Sequence, residues 1–181
     1  MRVALDSVEV EGIGHNLPFC SAVMDHPKFV VGEMTTAFIA EEYPDGFEGV
    51  TLADPVMRRV VAAVAAMYRV AEIRRTRVSG RMSNHERKVG RDWVVTAEGQ
   101  SWPVSIEADP SGSTVTFDDG ASMRVTSDWT PGQSLARLEV DGTAMVLKVV
   151  MVTGGFRVRV RGAYLKVQVW PPKHAELVAL M

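Results

Sequence analysis

Val60-Val61-Ala62-Ala63-Val64-Ala65-Ala66-Met67 decides the fold of this 181-residue chain. The stretch has the composition of a helix and no polar face. A helix that meets solvent keeps charged residues along one side; one that is apolar all round is buried all round. The stretch belongs to a longer helical pattern. Asp54 and Pro55 form a start signal, the aspartate as cap and the proline at the first helical position. The pattern continues to about Arg77, roughly 35 Å at ~1.5 Å per residue. Its first half carries Val56, Val60, Val61, Val64, Met67 and Val70; its second half turns polar with Glu72, Arg74, Arg75 and Arg77, and Ser79-Gly80 ends it.

What cages the helix comes after it. Strand-like runs cover Trp93–Ala97, Trp102–Ala108, Ser113–Asp118, Ala121–Thr126, Leu135–Val140, Ala144–Val152, Phe156–Arg161 and Ala163–Trp170. Short turn signals separate most of them, Asp119-Gly120 and Asp141-Gly142 among them, so the strands should meander as antiparallel hairpins. Phe156, Val158 and Val160 alternate with Arg157, Arg159 and Arg161, giving the one apolar face that a sheet curled around a core requires. Ala144–Val152 is apolar on both faces except at Lys148, which predicts a cover on the outside as well. A last helix is predicted from Pro172 to about Leu180.

The predicted fold is therefore α+β and mainly β: an eight-stranded antiparallel β-barrel around a long central helix, preceded by a short strand–helix–helix appendage. Space is tight. An eight-stranded barrel encloses little more than its own inward side chains, and a helix with side chains is about 10–12 Å across. Five alanines among the ten residues Ala62 to Ala71 slim the helix to fit. Tilted strands of this length make a barrel roughly 18 Å high, so the arginine-rich half of the helix should project from it.

Charge divides the chain into three. Residues 1–54 carry net −8, residues 55–91 net +8, and the rest net −2, for a total of −2. The basic run holds Arg74, Arg75, Arg77, Arg81, Arg87, Lys88 and Arg91, read here as a docking surface for an acidic protein partner. A nucleic-acid patch would interleave aromatic side chains, and only Tyr68 lies near the run. A solvated helix end is the plain alternative. The single cysteine, Cys20, excludes an internal disulfide and fits a reducing compartment. The N-terminus does not read as a signal peptide, and the uncharged run 60–68 is too short to span a membrane, which takes about 20 residues.

No catalytic constellation is legible. The histidines at 15, 26, 85 and 174 lack metal-ligand spacing, and Gly12-Ile13-Gly14 is a lone pair of glycines outside any strand–loop–helix context. Neither a metal site nor a cofactor site is predicted.

The first fifty residues read as an appendage with too little apolar mass to fold alone. Val8-Glu9-Val10 alternates like a strand; Asn16 and Pro18 open a helix with Leu17, Phe19, Val23 and Met24 on its apolar face. A second helix spans Ala37 to Glu42, and Tyr43-Pro44-Asp45-Gly46 turns the chain. These residues carry a resemblance. Gly12-Ile13-Gly14-His15-Asn16-Leu17-Pro18-Phe19, His26-Pro27-Lys28-Phe29 and Glu41-Glu42-Tyr43-Pro44-Asp45-Gly46-Phe47 resemble the end of a biotin carboxylase domain, specifically in the α subunits of propionyl-CoA carboxylases. Ser79-Gly80-Arg81-Met82 and Asp92-Trp93 extend the similarity into the barrel.

The resemblance implies two parts. Residues 1–52 would be the C-terminal remnant of a biotin carboxylase domain, and 53–181 the BT domain that mediates between biotin carboxylase and carboxyltransferase. It implies a partner, the carboxyltransferase β subunit, and contacts with the subunit's own biotin carboxylase and biotin carrier domains. Nucleic acid and membrane are not among the implied partners. Biotin, ATP and magnesium would serve the parent enzyme, a ligase, through an ATP-binding region upstream and a Met-Lys-Met lysine downstream. Lys148, inside a strand, is a poor biotin site. The piece alone would then be an inactive scaffold, cytoplasmic or, in a eukaryote, in the mitochondrial matrix. A small-ligand-binding barrel and an arginine-rich nucleic-acid module remain as alternative readings.

Overall fold

The computed structural model describes residues 1–10, 13–77 and 88–179. Four short helices come first: α1 (Arg2–Ser7), α2 (Leu17–Asp25), α3 (Pro27–Val30) and α4 (Phe38–Glu42). The long helix α5 (Asp54–Thr76) follows. Then come β1 (Asp92–Ala97), β2 (Gln100–Asp109), β3 (Gly112–Phe117), β4 (Ser122–Ser127), β5 (Leu135–Val140), β6 (Thr143–Val152), β7 (Gly155–Val160) and β8 (Ala163–Trp170), and last α6 (Pro172–Ala179). Each strand pairs antiparallel with the next, and β1 pairs with β8, which closes the barrel.

The closed sheet surrounds α5, which lies against β1, β2, β3, β4, β5, β7 and β8. Residues Val60 to Ala65 have no exposed surface at all. Inward residues from every strand meet them, including Val95, Ile106, Val115, Val140, Leu147, Phe156 and Val167. The cap differs from the expected one by a residue: Ala53 is the N-cap, with Asp54 and Pro55 inside the first turn and no side-chain capping bond.

Tight turns set the register. At Glu98-Gly99, Asp141-Gly142 and Arg161-Gly162 both central residues have positive φ. That is the two-residue hairpin geometry whose twist matches the flanking strands. Gly155 is required for a different reason: a Cβ there would lie 2.1 Å from the Val167 carbonyl oxygen, so only glycine lets β7 start this close to β8.

The helix enters the barrel at one mouth and leaves at the other. At the front mouth, Arg58 bonds Asp119 in the β3–β4 turn at 2.5 Å, and its guanidinium carbon sits 4.5 Å from the centre of the Phe117 ring. At the rear mouth, Tyr68 meets Trp93 and Phe156 edge-on, and Trp129 meets Phe156 likewise. These rings plug the opening around the departing helix.

The appendage departs from the expected strand–helix–helix order: α1 and α3 stand beside the two expected helices, and the expected strand is missing. Val8–Val10 is extended but pairs with no strand, and the residues before it form α1. The reason is a competing partner: the Arg159 guanidinium donates to the Val8 carbonyl oxygen at 2.5 Å, taking the place of a ladder bond. α1 packs on β6 and covers its middle, where Met145 to Val149 are all buried; Ala144, Val150 and Met151 are exposed, so the expected cover does not extend over the whole run. Phe19, Phe38, Tyr43, Phe47 and the His26 ring form a small aromatic cluster that holds α2 to α4 together.

Candidate functional site

Past Tyr68 the helix leaves its cage and its composition changes. Arg69 is half-buried, while Val70, Arg74, Arg75 and Arg77 are exposed. Beside them lies an open groove of about 1030 Å³. One side is the helix from Ala66 to Arg77; the other is the β2–β3 turn, Trp129 to Pro131 and Met151. Antiparallel topology brings the start of β1 to this same rear mouth, so exposed Lys88 and Arg91 stand at the same end as the helix arginines.

Several of these cations are anchored. Arg74 donates to the Pro131 carbonyl oxygen at 3.1 Å. Arg75 donates to Glu72 at 2.5 Å and reaches the Met151 sulfur at 3.7 Å. Arg91 pairs with Glu107 at 3.0 Å. Arg69 holds a buried Nε without a hydrogen-bond partner among the described residues and lines the groove. It stood in the basic run but outside the predicted set; the helical spacing of 69, 73 and 77 was the available signal. Arg81 and Arg87 lie outside the described residues. Five of the seven predicted docking residues are therefore at one mouth, although Lys88 and Arg91 do not line the groove itself.

Among the described residues the groove has one carboxylate on its rim, and it is already matched. Arg124 donates to both oxygens of Asp109 at 2.7 and 2.8 Å, and Ser111 adds its amide and hydroxyl. The Arg124 guanidinium and Ser111 hold the Asp109 carboxyl well below the usual range. The field in the groove is left to the arginines.

The opposite end of the barrel holds the appendage. The Arg161 amide, in the β7–β8 turn, donates to the buried Asp6 carboxylate at 2.9 Å. A Cβ on Gly162 would come 2.5 Å from the Pro18 carbonyl oxygen, so α2 sits directly on this turn. Ser134 donates to Glu9, completing a strap laid along the outer wall. Burial pushes the Asp6 carboxyl above its usual range, opposed by the Arg161 amide and by the charges of Arg159 and Arg161. Nothing in the spacing of residues 155 apart announced this strap.

Among the described residues no group of three or more His, Cys, Asp or Glu is placed to hold a metal. His26 bridges to Glu42 at 3.2 Å and packs on Phe38, a structural role. Lys148 is 9% exposed in the middle of β6, under α1. No described helix is long and apolar enough to cross a membrane.

Comparison with known proteins agrees with this architecture. The family profile described as propionyl-coenzyme A carboxylase BT domain matches residues 60–181. The propionyl-CoA carboxylase alpha chain of Ruegeria pomeroyi is 71% identical over the whole of this chain, which covers 27% of that relative. The mitochondrial propionyl-CoA carboxylase alpha chain of Rattus norvegicus is 28% identical over the whole chain, covering 25% of it, and that of Caenorhabditis elegans is 24% identical, with 27% covered. The chain thus spans about a quarter of the length of the curated relatives it matches. With a caged helix, a closed eight-stranded barrel and a family match across both, the chain belongs to the propionyl-coenzyme A carboxylase BT domain family.

Proposed function

We propose that this chain is a non-catalytic docking and scaffolding module of a biotin-dependent acyl-CoA carboxylase of the propionyl type. It joins the biotin carboxylase and biotin carrier parts of its own subunit to the carboxyltransferase β subunit. Residues 1–52 are the tail of the biotin carboxylase domain, and 53–181 the mediating domain. The observation that carries this reading is the opposition of the two ends. The appendage is fastened at the front mouth through Asp6, Pro18 and Gly162, while the arginine groove opens at the rear mouth. Between them runs one 23-residue helix locked in a closed sheet. A rigid spacer with a different attachment at each end is suited to setting the distance between two active sites.

Biotin, ATP and magnesium belong, in this reading, to other parts of the enzyme. The chain's own contribution is position: the groove receives acidic and apolar side chains of the partner, because arginine forks pair carboxylates and the exposed Val70 and Met151 offer apolar contact. The place of work is the cytoplasm, or in a eukaryote the mitochondrial matrix; the name of the rat relative includes the word mitochondrial. A ligand-binding barrel is disfavoured because α5 fills the lumen, as the zero exposure of Val60 to Ala65 indicates.

Co-purification with a carboxyltransferase β subunit tests the proposal. The double variant Arg74→Glu/Arg77→Glu, which spares the Arg75–Glu72 pair, should lose the complex while keeping the parent's melting temperature within a few degrees. Complex formation equal to the parent's would remove the arginine groove from the docking surface.

A further inference from the structure

The barrel wall is electrically divided. Residues 92–142 hold nine acidic and two basic side chains; residues 143–175 hold six basic ones, Lys148, Arg157, Arg159, Arg161, Lys166 and Lys173, and no acidic one. Because the strands meander in order around a closed sheet, this division in sequence becomes a division in space. β1 to β5 form an acidic flank and β6 to β8 a basic one.

Register places the basic side chains in rows on the outside. Lys148, Arg159 and Tyr164 form one row, and Val150, Arg157 and Lys166 the next, nearer the rear mouth. The first row is largely occupied: Lys148 and Arg159 are buried beneath the strap, which brings Asp6 and Glu9 to this flank. The second row is open. Arg157 and Lys166 are exposed and directly opposite each other, and like charges facing across a strand pair destabilise a sheet. Among the described residues neither forms an ion pair or side-chain hydrogen bond with a carboxylate. Exposed apolar groups border them: Val150 at 41%, Met151 at 39% and Tyr164 at 61%. Met151 accepts from Arg75, so this patch is continuous with the rear groove.

We propose that the outer wall of β6 to β8, centred on Arg157 and Lys166, receives an acidic face of the partner subunit. The partner then grips the flank of the barrel as well as its mouth. The inference rests on the docking role proposed above and adds a second, separate surface to it. Charge complementarity selects the occupant, and the molecule contains its own precedent: the acidic strap on the neighbouring row. An unmatched arginine and lysine beside exposed Tyr and Met is also the composition of an interface rather than of an idle surface.

The test uses this chain and a purified carboxyltransferase β subunit, with affinity measured by calorimetry at two salt concentrations. Arg157→Gln/Lys166→Gln removes the facing charges, so it should melt no lower than the parent. It should nevertheless bind at least tenfold more weakly and with a shallower salt dependence. Arg157→Lys/Lys166→Arg should restore binding. If the glutamine pair binds like the parent while Arg74→Glu/Arg77→Glu does not, the flank is not a docking surface, although the groove is. If neither pair changes the affinity, both readings fail. If sedimentation shows the parent self-associating and the glutamine pair monomeric, the occupant is a second copy's acidic flank, and the inference is overturned.

Discussion

Asp6 is the residue on which the appendage turns. Its carboxylate is 6% exposed and accepts the Arg161 amide across 155 positions of sequence. Arg161 adopts positive φ without being glycine or asparagine, a conformation uncommon for a long side chain, and the bond from its amide helps hold it there. Burial raises the Asp6 carboxyl's pKa, so folding favours its protonated form. Its contribution to stability is therefore greatest below the unfolded value of about 3.9 and declines as pH rises through the higher folded value. Asp6→Asn keeps an acceptor for the Arg161 amide and removes the charge. It should melt at or above the parent at pH 7, with the gap closing as pH falls below about 4. Asp6→Ala leaves that amide unsatisfied and should cost about 1–3 kcal/mol. Melts of the three proteins between pH 3.5 and 7.5 decide this; an Asn variant markedly less stable at pH 7 would refute it. None of this was legible in the sequence, because Val8-Glu9-Val10 carries the alternation of a strand and only the fold shows that an arginine claims its carbonyl.

At the scale of elements, α5 reads almost completely from composition. Its bounds, its buried half and its projecting arginines follow from where valine and alanine give way to charge. The strands are nearly as legible, since glycine and aspartate punctuate them and two-residue turns leave little freedom of register. The short helices are not. α3 has four residues, and its first turn depends on the His26 ring accepting the Lys28 amide; α1 leans on β6. Segments this short have no stability of their own, so propensity is silent about them. The alanines of α5 make a sharper point. Ala63 is fully buried and Ala66 is 5% exposed, facing a wall that cannot retreat because it is closed. Ala63→Leu and Ala66→Leu should each cost about 1–3 kcal/mol through overpacking. Urea midpoints unchanged in both would mean that the cage has room to spare.

For the whole molecule, the closing seam matters most. β1 and β8 meet through Val94 and Trp170, Val95 and Val169, and Thr96 and Gln168, so the first and last strands complete the cage. The helix is blocked at both mouths, by Arg58 with the β3–β4 turn and by the Tyr68–Trp93–Trp129 plug. Unfolding must begin by parting strands. A disulfide joining Thr96→Cys to Gln168→Cys, with Cys20→Ser as background, closes a long loop and should stabilise by about 2–4 kcal/mol. Because it bars the seam from opening, most of that gain should appear as slower unfolding. Equal unfolding rates with and without reductant would place the opening elsewhere in the sheet. The candidate site at this scale was only half legible: the charge run pointed to a basic end of the helix, but the division of the barrel into an acidic and a basic flank needs the topology to become visible.

The caged helix also imposes an order of manufacture. α5 precedes every strand in the chain, so on the ribosome the most apolar segment emerges first and waits for its enclosure. About a hundred residues separate Met67 from the end of β8, and at roughly 5–20 residues per second that is a wait on the order of 5–20 s. Throughout that interval an alanine–valine surface with no polar side lies open to every other nascent chain. The arginines that follow it are made within the next second or so, and like-charged flanks of this kind oppose aggregation. A chain with Arg74, Arg75 and Arg77 replaced by glutamine should therefore aggregate more during synthesis than the parent, read as the soluble fraction after cell-free translation.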